Sequence, residues 1–432
     1  MTTVGVRPAS PSARPAKSLR LPAFWLVLVL LGMGAWRIFA IVRDSFGLYP
    51  RATAVALGLF GLYAVPFWIF VERLDYLERE PPLLLATAFA WGGLVATSTA
   101  IPGNAAVHNL LAKLVSPEFT AAWGSAIAGP TIEELLKTLG IVAIVLIARA
   151  QVNSVLDGVV YGALVGLGFQ VVENIVYAVN AVAIVGNGDR VGPVVSTFFL
   201  RGFLAGLWSH TLFSALAGAG VAYVVVRTDK PLWIRLVVAG GALGGAWLCH
   251  FVWNSPLLAD GLGGGGFGLL AALLVKGIPP LAMILVMVRA ARHREADYYV
   301  GQLVALGDPQ VATEGELKAL STGHMRAAAR RYAHGRAGIR GRTAVRRLQR
   351  AQARLAVELS RLGSTADLRA PPLERWYREA LVQRYRLVAM GHAEAVVPAH
   401  RYSVLRAWLA GAGVVTLVVA AIWLGIRALG GG

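Results

Sequence analysis

Polar side chains lie inside four long apolar runs, where an ionisable group at membrane depth costs at least about 2.5 to 3.5 kcal/mol. Two are Glu133 and Glu134, in Gly129-Pro130-Thr131-Ile132-Glu133-Glu134-Leu135-Leu136-Lys137. On a helix, Lys137 is four residues beyond Glu133 and three beyond Glu134, so it can neutralise one carboxylate. The other still needs a proton, a partner or a metal. In the next apolar run Gln170, Glu173, Asn174 and Tyr177 fall at i, i+3, i+4 and i+7, one polar stripe that must face protein or water. The following two runs carry His210 with Ser214 one turn later, and His250 with Asn254 one turn later. Imidazole and carboxylate together form the ligand set of a catalytic metal with an open position, or of a metal-free water activator.

The elements that position these groups are set by composition. The chain has 432 residues, 56% hydrophobic and only 15% charged, with a mean hydropathy of +0.61. A soluble protein carries about 25% charged residues, so a water-soluble enzyme is excluded. The single cysteine, Cys249, excludes an internal disulfide and a Cys-rich metal site. Apolar runs at 21–42, 52–71, 83–101, 122–148, 154–185, 196–226, 233–255, 267–288 and 406–428 predict eight or nine spans. The runs are continuous rather than alternating, which predicts an all-α polytopic transmembrane bundle. Gly158, Gly162 and Gly166 form a ridge of small residues suited to close helix packing.

Residues 1–20 read as a disordered basic tail. Basic residues in the short loops favour a multi-pass protein of the cell membrane with its N-terminus in the cytoplasm: Arg7, Arg14, Lys17, Arg20, Arg73, Arg79, Arg149, Arg227, Lys230 and Arg235 then lie inside. Measured along the helices from those cytoplasmic borders, Glu134 and His250 lie roughly 22 Å deep, His210 roughly 25 Å, and Glu173 roughly 24 to 30 Å. In a hydrocarbon core about 30 Å thick, these depths predict one shared site open toward the extracytoplasmic face.

Residues 289–405 form a polar, helical, cytoplasmic segment between the bundle at 21–288 and the last span at 406–428. From 301 to 405, Lys318 and seventeen arginines stand against eight acidic residues, so this stretch holds net +10 of the chain's +18. No nucleic-acid partner is expected; the arginine faces are solvated or lean on anionic headgroups of the bilayer. Ala370-Pro371-Pro372 divides the segment in two.

Between about 50 and 290 the chain resembles the PrsW family of intramembrane proteases, relatives of the CAAX prenyl proteases and bacteriocin-processing membrane endopeptidases. The matching strings are Glu133-Glu134-x-x-Lys137; Asp157-Gly158-x-x-Tyr161-Gly162 leading to Gly168-Phe169-x-x-x-Glu173-Asn174; Arg201-Gly202 followed by His210 and Gly218; and His250-x-x-Trp253-Asn254-Ser255. The turn Asp75–Pro81 also fits. Position 170 is Gln where many relatives carry a small residue. The resemblance implies hydrolysis of a membrane-anchored protein, with anti-sigma factors the best-known substrates. It implies Glu134 or Glu133 as general base, Glu173, His210 and His250 binding Zn2+ or orienting the water without metal, and Asn254 as oxyanion donor.

Gly186-Asn187-Gly188-Asp189 imitates the Gly-x-Gly-Asp of intramembrane aspartyl proteases but reads as turn chemistry. Cys249 points about 100° away from its neighbour His250 on a helix and reads as packing. Two other classes use intramembrane Glu and His: a transporter or proton relay, which should show internal repeats or broken helices, and a non-catalytic scaffold for single-span partners.

Overall fold

The computed structural model describes residues 20–74, 77, 80–204, 209–258, 265–362, 367–392 and 394–397. The N-terminal tail and the expected span at 406–428 lie outside the described residues. Those described contain helices and no strand, in two compact units: residues 20–74 with 80–288, and Leu77 with 289–397.

In the first unit, α1 (Pro22–Leu48), α2 (Pro50–Glu72) and α3 (Pro82–Ala90) each begin on a proline, whose missing N–H costs nothing in a first turn. A π-helical turn at Trp91–Ala96 joins α3 to α4 (Thr97–Leu114). The expected span 83–101 therefore runs on to Leu114. Pro102 sits inside α4 without ending it, as helices packed against other helices tolerate. Then follow α5 (Pro117–Ala148), with Ser116 accepting from the Phe119 N–H at 3.1 Å, and α6 (Val155–Val185), opened by a reciprocal Ser154–Asp157 cap.

The expected span 196–226 is not one helix. A short α7 (Gly192–Thr197) passes into a π-helical turn at Phe198–Leu204, and α8 begins at His210 and ends at Val226. Apolar composition cannot distinguish a straight span from an interrupted one, and here the wide turn carries Arg201 against α6. The unit closes with α9 (Leu232–Asn254) and the start of α10 (Gly265–Leu306), which runs unbroken past the expected boundary at 288.

Among the described residues, six helical stretches are long and apolar enough to cross a membrane: Pro22–Leu48, Pro50–Glu72, Pro82–Leu114, Val155–Val185, Leu232–Asn254 and Ala271–Leu306. At 32 residues α5 has the length, but Glu133, Glu134 and Lys137 at its centre lower its hydropathy; α8 has 17 residues.

Buried along most of its length, α6 organises the unit. Its glycine ridge lies directly on α8: a Cβ on Gly162 would fall 2.1 Å from the Ser214 carbonyl oxygen, and one on Gly166 would fall 2.2 Å from that of His210. Only glycine permits this approach, and the approach brings the first residue of α8 beside Glu173.

The second unit holds the end of α10, α11 (Glu314–Leu320), α12 (Gly323–Leu362) and α13 (Pro371–Ala389) around a core that includes Tyr299, Leu348, Leu355 and Leu373. Within α12, Ala337 and Gly338 leave helical geometry, with Gly338 at φ 62°, so two helical arms meet at this point.

Candidate active site

Six expected residues, Glu133, Glu134, Glu173, His210, His250 and Asn254, come together from α5, α6, α8 and α9. Glu133, Glu134, His210 and His250 are buried. Lys137, with no exposed surface, donates to Glu134 Oε1 at 2.5 Å, so the lysine neutralises one glutamate of its own helix.

Both imidazoles are held by carboxylates. His250 Nδ1 lies 2.8 Å from Glu134 Oε1, and His210 Nε2 lies 3.1 Å from Glu173 Oε2. A carboxylate only accepts, so in the neutral rings these nitrogens carry the protons and donate. The opposite nitrogens then present lone pairs. His210 Nδ1 accepts from Lys137 Nζ at 3.0 Å, and His250 Nε2 accepts from Asn254 Nδ2 at 3.1 Å. Those two lone-pair atoms lie 3.8 and 3.9 Å from one oxygen, Glu133 Oε2.

That oxygen is buried and has no hydrogen-bond partner. Its companion, Oε1, accepts from Asn104 Nδ2 at 2.9 Å. With neutral imidazoles the cluster holds three carboxylates against Lys137 and Arg201, so one negative charge is left to a proton, water or a cation. Ligand atoms of Glu133, His210 and His250 all lie within 4.8 Å of one another. The orphaned oxygen suits a divalent cation of the N/O-binding kind, and the two imidazole nitrogens would join it once Lys137 Nζ and Asn254 Nδ2 release their lone pairs.

Glu173 is engaged differently from the expected ligand set. Its Oε2 receives Arg201 Nη2 at 2.6 Å as well as His210. Arg201 also donates from Nε to Asn174 Oδ1 at 2.8 Å and lies 3.9 Å over the Tyr177 ring. Gln170 turns elsewhere, to Tyr63 and Thr211, so the stripe on α6 serves two places. At the end of α9, Lys276 Nζ donates to the carbonyls of Trp253 and Ser255 at 3.3 and 3.0 Å, satisfying the turn that carries His250 and Asn254.

The cluster opens on a cavity of about 170 Å³ whose lining includes Asn104, His108, Glu133, Glu173, Arg201 and His250. Sequence reasoning missed Asn104 and His108 because the expected span stopped at 101; the signal was their i, i+4 spacing on a helix that continues to Leu114. It also gave Arg201 no role. Asp189 is accounted for otherwise: its carboxylate accepts from the Arg51 and Ala52 N–H groups at 2.8 and 2.9 Å, capping α2.

Residues 80–288 match the model of the PrsW family intramembrane metalloproteases. Residues 80–288 form a PrsW-family domain. The matched segment contains every residue of the cluster and begins at 80 rather than near 50, and the arginine-rich region lies beyond it. No curated protein and no solved structure matches the chain significantly. With that domain and several helices long and apolar enough to cross a membrane, it is an intramembrane protease.

Proposed function

We propose that the chain cleaves a single-span membrane protein near the extracytoplasmic face, using water activated between Glu133, His210 and His250. The observation that carries this is the convergence of two lone-pair nitrogens on the unpartnered Glu133 oxygen. Counting α5 and α8 as spans gives eight among the described residues, and the positive-inside bias puts the N-terminus and 289–405 in the cytoplasm.

Glu133 Oε2, His210 Nδ1 and His250 Nε2 would hold the cation, and the donor set suits Zn2+. When bound, such an ion polarises the water and the scissile carbonyl. Glu134 and Glu173 fix the imidazole tautomers from behind, as carboxylates do for ligating histidines. Lys137 neutralises Glu134, Arg201 neutralises Glu173, and Asn104 holds the Glu133 carboxylate in register.

Of the two adjacent glutamates at the centre of α5, Glu133 lines the cavity, so it is the base that reaches water. With no ion held there, its Oε2 takes a proton as the water oxygen bonds to the peptide carbon; the carbon–nitrogen bond then breaks and the proton passes to the leaving amine. Asn254, also on the cavity wall, donates to the carbonyl oxygen as charge develops there. The family resemblance makes an anti-sigma factor the expected substrate class.

The interruption before His210 is the feature that also suits a proton relay. One experiment separates the readings: purified protein in proteoliposomes with a tagged single-span substrate and a pH-sensitive dye inside. Protease function predicts site-specific cleavage that His250→Ala abolishes, with no proton flux. Flux without cleavage would establish the relay, and partner binding without either would establish a scaffold.

A further inference from the structure

Helix α9 stops at one of the cluster's own side chains. Asn254 is its last residue, and Ser255 follows in extended geometry at ψ 153°. Pro256 accounts for the stop: it disfavours helical geometry at residue 255 and has no N–H to offer the Val252 carbonyl, as a further helical residue would. The final carbonyls of a helix lack intrahelical donors, and within a membrane an unsatisfied one is unfavourable. Here the donors come from side chains. The Ser255 hydroxyl donates to the Val252 carbonyl at 2.8 Å. Lys276 Nζ, reaching over from α10, donates to the carbonyls of Trp253 and Ser255 at 3.3 and 3.0 Å.

One ammonium therefore holds the main chain on both sides of Asn254. A lysine within a span is itself unfavourable, and Lys276 lies half-buried in the apolar stretch Ala271–Leu306, off the wall of the cavity. Its charge complements the negative end of the α9 dipole.

Asn254 needs a fixed backbone more than its neighbours do. Its Nδ2 donates to His250 Nε2 at 3.1 Å and to the Ser125 carbonyl at 3.3 Å. Both of its N–H bonds are thus engaged, so donation to a substrate oxygen requires the carboxamide to turn away from these partners. The turn is accurate only if the Cα stays in place, and helix ends fray unless they are tied.

We propose that Lys276 is a positioning residue for the hydrolysis, holding the end of α9 so that Asn254 can exchange its resting partners for the substrate carbonyl while His250 stays against Glu134. This rests on the protease reading above and deepens it. Because Lys276 does not line the cavity, its loss lowers kcat and spares KM.

The test uses the full-length protein in proteoliposomes with a tagged single-span substrate at varied density. Lys276→Met should lower kcat by about 10- to 100-fold, with KM changed by less than about twofold. In an Asn254→Ala background the same substitution should cost less than about threefold, because the side chain that it positions is gone. Amide exchange read by mass spectrometry should quicken at residues 250–255 in Lys276→Met and match the wild type along α6. If Lys276→Met does not fold, Lys276→Gln enters the same cycle with the same expectations. Equal slowing in both backgrounds, a wild-type kcat in the variant, or unchanged exchange at 250–255 overturns the proposal. A wild-type protein that cleaves nothing counts instead against the protease reading, and the exchange measurement then decides the hold on α9 by itself.

Discussion

Replacing Glu173 with Gln separates two roles that its position allows. Its Oε2 accepts from His210 Nε2 at 3.1 Å and from Arg201 Nη2 at 2.6 Å, while Glu133 offers the oxygen nearest the imidazole lone pairs. If Glu173 orients His210, Glu173→Gln keeps an acceptor of the same shape, removes the charge and leaves Arg201 half-buried without its counter-ion. Loss of such an orienting partner costs about 10- to 100-fold in activity or metal affinity, which corresponds to roughly 1.4 to 2.8 kcal/mol. A ligand would cost far more, together with the ion. The assay is cleavage of a tagged single-span substrate in proteoliposomes, with bound metal counted by mass spectrometry on the same preparation. The expected result is a 10- to 100-fold slower cleavage, metal retained at saturating concentration, and non-additivity with Arg201→Gln because the two share one bond. A variant with no measurable activity and no bound metal, indistinguishable from His250→Ala, would refute the orienting role and make Glu173 a ligand.

Four further outcomes follow from named contacts. Gly166→Ala should lower the melting temperature and reduce activity, because its Cβ would lie 2.2 Å from the His210 carbonyl oxygen; overpacking of this kind costs about 1 to 3 kcal/mol, whereas Gly240→Ala, with open space around it, should be silent in a thermal melt. Lys137→Met should destabilise the protein by about 3 to 5 kcal/mol, since it leaves Glu134 a buried charge without its ammonium; detergent thermal unfolding reads this directly. Asn104→Ala should slow cleavage by about 10- to 100-fold with little change in melting temperature. Asp189→Ala should cost about 1 kcal/mol of stability through the lost α2 cap and leave cleavage unchanged; inactivation would revive an aspartyl mechanism.

The sequence made the bundle legible because a membrane span needs only a run of apolar residues, and the site legible because charge at that depth is rare. Glu133, Glu134, Glu173, His210 and His250 stand out on those grounds, and Asn254 by lying one turn beyond His250. Their division of labour was not, since ligand and orienting carboxylate differ by which oxygen faces which nitrogen, a matter of side-chain direction. Asn104 was hidden because the expected run stopped at 101, whereas α4 continues through Pro102 to Leu114. The broken passage from Thr197 to His210 was hidden because its residues are as apolar as a straight span. Arg201 was visible as part of a motif, yet its partners Glu173 and Asn174 lie on a different helix.

The decisive measurement is the cleavage rate of the reconstituted protein carrying Glu133→Gln, with a tagged single-span substrate in the same vesicles. Gln keeps the size of the side chain and its bond partner Asn104, but it cannot take a proton from water. Cleavage should fall by about 10²- to 10⁴-fold, with elution volume and melting temperature unchanged. Cleavage at the wild-type rate would show that the Glu133 oxygen between His210 and His250 has no part in the chemistry.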